Sequence, residues 1–254
     1  MRRLSSFLLV LFAASVAYGR GATPKELVID LKFKPQEGVH SDSPALPPAM
    51  LEKSVELRVE DGRKEADPRV IGQGTGGDDK TFPIRSGNDI APFVKQVIDS
   101  VGKSWSLKTA TPADRTLDIS VTRFFLDESN KALGSMYSSD VKLAFTLKDA
   151  KGKVLAEGVG SGSTHRYGRA HSVENSNEVL SDALKEAFAN VLDDSSLQTA
   201  WSSGKGSGKG GSTQASAPAK SVEERLKDLD ALYKKGVITK EEYDRKRAEI
   251  LKDM

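Results

Sequence analysis

Residues 140–164 read DVKLAFTLKDAKGKVLAEGVGSGST, and residues 177–192 read NEVLSDALKEAFANVL. The change of period between these two stretches decides the fold class. In the first, Val141, Leu143, Phe145 and Leu147 alternate with polar residues, the period of a strand buried on one face. DAKGK, with Gly152 free to take a positive φ, turns that strand back into VLAEGVGSGST. In the second, Val179, Leu180, Ala183, Leu184, Ala187, Phe188, Val191 and Leu192 recur at helical spacing and form one apolar stripe. Asn175, with Glu178 three residues on, resembles a capping box for that helix.

Working outward, the same two periods repeat. LVIDLKF, residues 27–33, alternates with Leu27, Ile29, Leu31 and Phe33 on one face. SVELRVED, residues 54–61, places Val55, Leu57 and Val59 inward, and Val70-Ile71 predicts a brief strand. NDIAPFVKQVIDSV, residues 88–101, switches to helix, with Ile90, Phe93, Val94, Val97, Ile98 and Val101 in one stripe. Asn88 suits its start and Gly102 its end. TLDISVTRFF then alternates through Leu117, Ile119 and Val121. The order is β, β, α, then β, β, β, α. Clean alternation favours an antiparallel sheet with one solvated face, so the prediction is α+β: an antiparallel sheet with two helices packed on one face.

The N-terminus, MRRLSSFLLVLFAASVAYG, has the order of a signal peptide over residues 1–19. Arg2 and Arg3 precede an apolar run, and small residues suit cleavage after Ala17 or Gly19. That run is shorter than the roughly 18–20 residues of a membrane span, so no span is expected after cleavage. The chain carries 38 basic and 36 acidic residues, and losing Arg2 and Arg3 equalises them. A neutral mature chain lacks the basic footprint of a nucleic-acid binder. The absence of cysteine excludes disulfides, thiol catalysis and the residue that lipoproteins acylate, so no lipid anchor is expected.

Little in residues 25–201 points to chemistry. GQGTGG, residues 72–77, lacks the Lys-Ser/Thr ending of a phosphate loop and runs into Asp78-Asp79, so a flexible turn is expected. His165 and His171 stand six apart in a predicted loop beside Arg166 and Arg169, a poor cation site. His40 lies alone in a proline-rich loop. Asp61 and Arg63 read as a turn-stabilising pair, and Asp193-Asp194 as a solvated helix end. No GxSxG or HExxH occurs. No catalytic, cofactor or metal residues are expected. Gly158, Gly160 and Gly162 share one strand face, which marks either close helix packing or a flat surface for a partner.

VELRVEDGRKEADPRVIG, residues 55–72, with its Asp61-x-Arg63 element, and the later LDISVTRF strand resemble the YajG-like group of bacterial envelope proteins. The resemblance spans roughly residues 25–200 and implies an envelope location with no settled activity. The missing cysteine departs from its lipoprotein pattern and favours a periplasmic or secreted protein.

Residues 202–220 are rich in Gly and Ser and read as a flexible linker. Residues 221–254 read as a tethered two-helix hairpin. Ser221 with Glu224 and Thr239 with Glu242 form capping boxes around Gly236. Leu226, Leu229, Leu232 and Tyr233 stripe the first helix; Ile238 links, and Tyr243, Ile250 and Leu251 line the second. This pattern is closely similar to SHOCT, the short C-terminal domain, over residues 221–251. The resemblance implies oligomerisation or partner contact. So small a unit rarely buries enough surface to fold alone. The expected function is a non-enzymatic exported binding or assembly protein that contacts itself or an envelope protein through those eight residues. The alternatives are a periplasmic binder of an envelope glycan or lipid, and a hydrolase using His165 or His171.

Overall fold

A computed structural model describes residues 24–36, 43–76, 78–131 and 133–203, together with Lys240 and Arg247. The elements run β1 (Leu27–Ile29), α1 (Pro48–Glu52), β2 (Val55–Asp61), β3 (Val70–Thr75), β4 (Thr81–Ser86) and α2 (Ile90–Ser104). They continue β5 (Arg115–Lys131), β6 (Gly134–Asp149), β7 (Val154–Gly168), α3 (Val173–Leu192) and α4 (Ser195–Ser203). The chain divides into two units, residues 1–208 and 209–254, and this fold belongs to the first.

The strands form one sheet in the order β1-β4-β3-β5-β6-β7, with β2 also paired to β5. The architecture is α+β as expected, but the sheet is mixed rather than antiparallel. β5, β6 and β7 form an antiparallel meander, and β3 and β4 an antiparallel hairpin. β1 runs parallel to β4, and both β2 and β3 run parallel to β5. β5 has 17 residues, enough to share one edge between two strands. β2 takes Arg115 to Val121, and β3 takes Leu126 to Glu128. Polar alternation reports which face is buried, not the direction of the neighbour. The parallel pairs with β5 are allowed because α2 lies between β2 or β3 and β5 as a crossover, and β1 reaches β4 through α1, β2 and β3.

One face of the sheet carries the core. Every apolar residue assigned to the two helical stripes is buried in α2 and α3. Phe93 of α2 meets Phe124 of β5 edge-on at 6.2 Å, and Trp105 stacks on Phe188 of α3 at 5.8 Å. Two of the three strand glycines, Gly160 and Gly162, receive α3, and Gly158 lies against the Phe145 ring. A Cβ on Gly160 would lie 2.4 Å from the Ala187 carbonyl, and one on Gly162 would lie 2.1 Å from that of Ala183. Close helix packing is therefore the reading that holds for this face, and it leaves no flat surface there.

Several local expectations are revised. Only Leu27–Ile29 pairs as a strand; residues beyond it are held by Asn88, which precedes α2, and by side chains of α3. Asn88 does not cap α2, because its amide binds both backbone groups of Leu31. The α3 cap is Ser172, whose Oγ accepts the Asn175 amide, which places Asn175 and Glu178 inside the helix. Residues 72–75 are strand rather than turn, and Gly72 and Gly74 let that strand lie against Leu126 and the Phe82 ring. Asp194 is not a solvated end: it accepts the Ser196 and Leu197 amides and starts α4.

Candidate functional site

The sequence reading placed its interaction residues in the tail. Leu226, Leu229, Leu232, Tyr233, Ile238, Tyr243, Ile250 and Leu251 lie outside the described residues, as do His40, the signal segment and the linker. What the structure adds is a polar groove of about 890 Å³ on the uncovered face of the sheet.

A backbone irregularity builds it. Leu117, Ile119 and Val121 of β5 face the core, and the register then shifts between Val121 and Arg123. A bulge adds one residue and resets which side chains point inward. Phe124 and Leu126 are buried as a result, and Arg123, Phe125 and Asp127 face out. The pairing of β5 with β6 and of β6 with β7 then makes a grid. Asp127, Ser138 and His165 form one row. Phe125, Asp140 and Ser163 form the next, and Arg123, Lys142 and Ser161 the third.

The grid is held from within and at one side. Arg123 pairs with Asp140 and lies over the Phe125 ring, 4.8 Å from its centroid. Asp127 accepts the Gln73 side-chain amide at 3.2 Å. Along the outer edge of β7, Asn190 donates to the Ser161 carbonyl at 2.7 Å, and Glu186 accepts the Ser163 amide at 3.0 Å. These two α3 side chains form a wall and occupy backbone groups that an open sheet edge would otherwise present.

A second polar cluster is buried at the far end of the sheet. Glu128 is fully buried, and its Oε1 accepts the His171 amide at 2.7 Å. The His171 Nδ1 lies 3.4 Å from the same oxygen, and the ring meets Phe82 edge-on at 5.3 Å. Tyr137 donates to the Arg169 carbonyl at 2.6 Å and accepts the Ser172 amide at 2.9 Å. Burial, and the nearby Glu128 charge, push the Tyr137 hydroxyl well above its usual range, so it remains a donor. His171 has φ +55°, the left-handed region that most side chains avoid. The cluster thus ties its hydrogen-bonding groups, Glu128 Oε2 excepted, to the turn that leads from β7 into α3.

The two histidines are therefore separated in role. His165 stands on β7 and lines the groove, while His171 is tied to Glu128. The predicted loop over 163–171 is strand as far as Gly168. Among the described residues, no group of three or more metal-ligating side chains comes together. Asp61 and Arg63 form a bidentate pair with both N···O distances at 2.9 Å, and Arg63 also donates to the Val70 and Pro68 carbonyls. With its side chain 4% exposed, Arg63 staples the β2–β3 connection. Sequence reasoning missed the groove because it has no motif. Its one local signal is the break in alternation at Thr122-Arg123.

Among the described residues no helix is long and apolar enough to cross a membrane. Comparison with known proteins gives two family matches. A family described as uncharacterised lipoprotein matches residues 43–201, and the short C-terminal domain matches residues 224–251. No curated protein matches the chain. Solved structures give distant likenesses. Protein XCC0632 from Xanthomonas campestris is 12% identical, with 68% of this chain and 96% of that one covered and a TM-score of 0.43. A PelC dodecamer from Paraburkholderia phytofirmans is 12% identical over 60% and 95%, with a TM-score of 0.32. A minor lipoprotein from Acinetobacter baumannii is 11% identical over 60% and 94%, with a TM-score of 0.26.

Proposed function

The chain belongs to the uncharacterised lipoprotein family, and from that premise we propose that it is an exported, non-enzymatic binding or assembly protein of the bacterial cell envelope. Its C-terminal short domain brings copies of the chain together or contacts an envelope partner. The observation that carries this reading is the short-domain match at residues 224–251, placed after the family domain that ends at residue 201. A unit of about 30 residues without cysteine seldom folds alone, so its apolar stripes call for a second surface. Joining copies through the tail multiplies weak contacts made by the main domain.

The non-enzymatic part of the reading is supported by how the polar groups are used. His171, Glu128 and Tyr137 hold a turn, and Asp61 with Arg63 holds a connection. The test is the solution mass of the mature protein by light scattering over a concentration series. The full chain is compared with a truncation after Lys220 and with full-length Leu229→Asp and Leu232→Asp variants. Assembly of the full chain alone is the expected result. The same number of copies per particle in all four proteins would remove the tail from the account.

A further inference from the structure

We propose that the groove on the uncovered face of β5, β6 and β7 is a binding site for an uncharged oligosaccharide. The inference rests on reading the chain as a binding protein, and it is independent of whether the tail assembles.

The chemistry of the lining selects the ligand. Its charges are already engaged: Arg123 with Asp140, Asp127 with the Gln73 amide, and Glu186 with the Ser163 amide. Lys142 is the lining cation that makes no ion pair among the described residues. With two cations, Arg123 and Lys142, against three carboxylates, Asp127, Asp140 and Glu186, the lining carries little net charge and gives an anionic ligand no net attraction. It offers instead groups that both donate and accept. Ser138, Ser161 and Ser163 present hydroxyls, which rotate to suit a partner hydroxyl. The Arg123 guanidinium adds a donor fork held in place by Asp140 on one side and the Phe125 ring on the other. Phe125 is the one wholly apolar ring of the lining, a single patch for the C–H face of a sugar.

The geometry suits a chain of sugar rings. Side chains on one sheet face recur at about 4.8 Å across strands. Linked pyranose rings present hydroxyl pairs at a comparable spacing, so successive rings meet successive side chains within a row of the grid. The groove's volume of about 890 Å³ falls in the range of small-ligand sites. Its lining departs from the mostly apolar walls of such sites, which again favours a polyhydroxyl ligand. Because the grid stands on three long strands and not on loops, its groups are fixed before the ligand arrives.

The experiment titrates the full-length mature protein with chitotriose and with maltotriose, reading backbone amide shifts by NMR. Saturable shifts clustered at Ser138, Ser161, Ser163 and His165 are expected for at least one sugar. Ser138→Trp and Ser163→Trp each fill the groove from exposed positions and are expected to abolish those shifts. Thr146→Trp, on the same face beyond the groove, is expected to retain them. If either filling variant does not fold, the other carries the test. Absence of shifts with both sugars, shifts elsewhere, or unchanged binding in the filled variants would overturn the site. Binding confined to an anionic probe such as a uronic acid trisaccharide, lost in Lys142→Ala, would overturn the assignment to an uncharged ligand. Light scattering on the same samples reports assembly separately, so a failed titration beside an assembling chain refutes the groove and leaves the tail reading intact.

Discussion

Asn177 of α3 grips the backbone on both sides of Leu31. Its Oδ1 accepts the Lys32 amide at 2.9 Å, and its Nδ2 donates to the Asp30 carbonyl at 3.1 Å. One helical turn on, Ser181 accepts the Lys34 amide at 2.8 Å. Four helical residues rise about 6 Å and two extended residues about 6.6 Å, so a helix can serve as the ladder of a strand. Asp182 continues the pattern at the Gln36 amide, 3.2 Å away. This is why an alternating segment that reads as strand is held by side chains rather than by another strand.

Asn177→Leu removes both bonds and leaves a part-buried amide and carbonyl unpaired. The expected loss of stability is about 2–3 kcal/mol by urea denaturation. Hydrogen exchange at Lys32 should speed up more than at core amides of β6. A change below about 0.5 kcal/mol would mean that the segment is held by its apolar side chains alone.

The glycines under α3 differ in what a methyl group would strike. Gly160→Ala and Gly162→Ala meet helix backbone, which must move as a whole, so each is expected to cost about 3 kcal/mol. Gly158→Ala meets the end of the Phe145 ring at 2.6 Å, and a ring can tilt. It should cost clearly less. Thermal denaturation of the three variants checks the order, and equal losses would contradict it.

Arg63 is expected to be the most sensitive surface-loop position. Arg63→Ala leaves Asp61 unpaired and should cost about 3 kcal/mol, whereas Arg63→Lys keeps the charge, loses the fork and should cost less. Burial pushes the Asp61 carboxyl up, but hydrogen bonds and charge from Arg63 outweigh it and hold the group below its ordinary value. The pair's contribution is thus complete above the unfolded value of about 4 and fades as pH falls through the lower folded value. The gap between wild type and Arg63→Ala should therefore narrow at acid pH without closing, because the bonds to the Val70 and Pro68 carbonyls do not titrate. A gap that does not change between neutral pH and the acid limb would refute the linkage.

Asp182 has the opposite sign. Burial pushes its carboxyl up, and the Gln36 amide and the Lys185 and Arg166 charges only partly oppose this. Its ionised form therefore weighs against folding as pH rises from the unfolded value through the folded one, and the penalty is complete above that. Asp182→Asn keeps an oxygen for the Gln36 amide and removes the buried charge. The expected result at neutral pH is a gain in melting temperature, against the loss of about 1 kcal/mol typical of a substitution. A lower melting temperature would show that the charge itself contributes.

The sequence alone determined the elements that have a buried stripe. α2, α3 and the meander strands were legible because period is a local property: each residue's neighbours at two or at three and four positions report its face. The tail's resemblance to the short C-terminal domain was also legible, through spacing that a family model matches at residues 224–251. Tertiary structure decided what lies beside each face. The parallel pairing of β2 and β3 with β5 depends on a crossover, and alternation is the same in either direction. The ladder from α3 joins residues 145 apart, and the Asn88 clamp joins residues 57 apart. The groove needed a bulge in β5 and the register of two further strands to bring Arg123, Asp140 and Ser163 together. Local spacing carries burial; partner choice is a property of the assembled sheet, where hydrogen-bond geometry admits one register and the chain supplies it from distant positions.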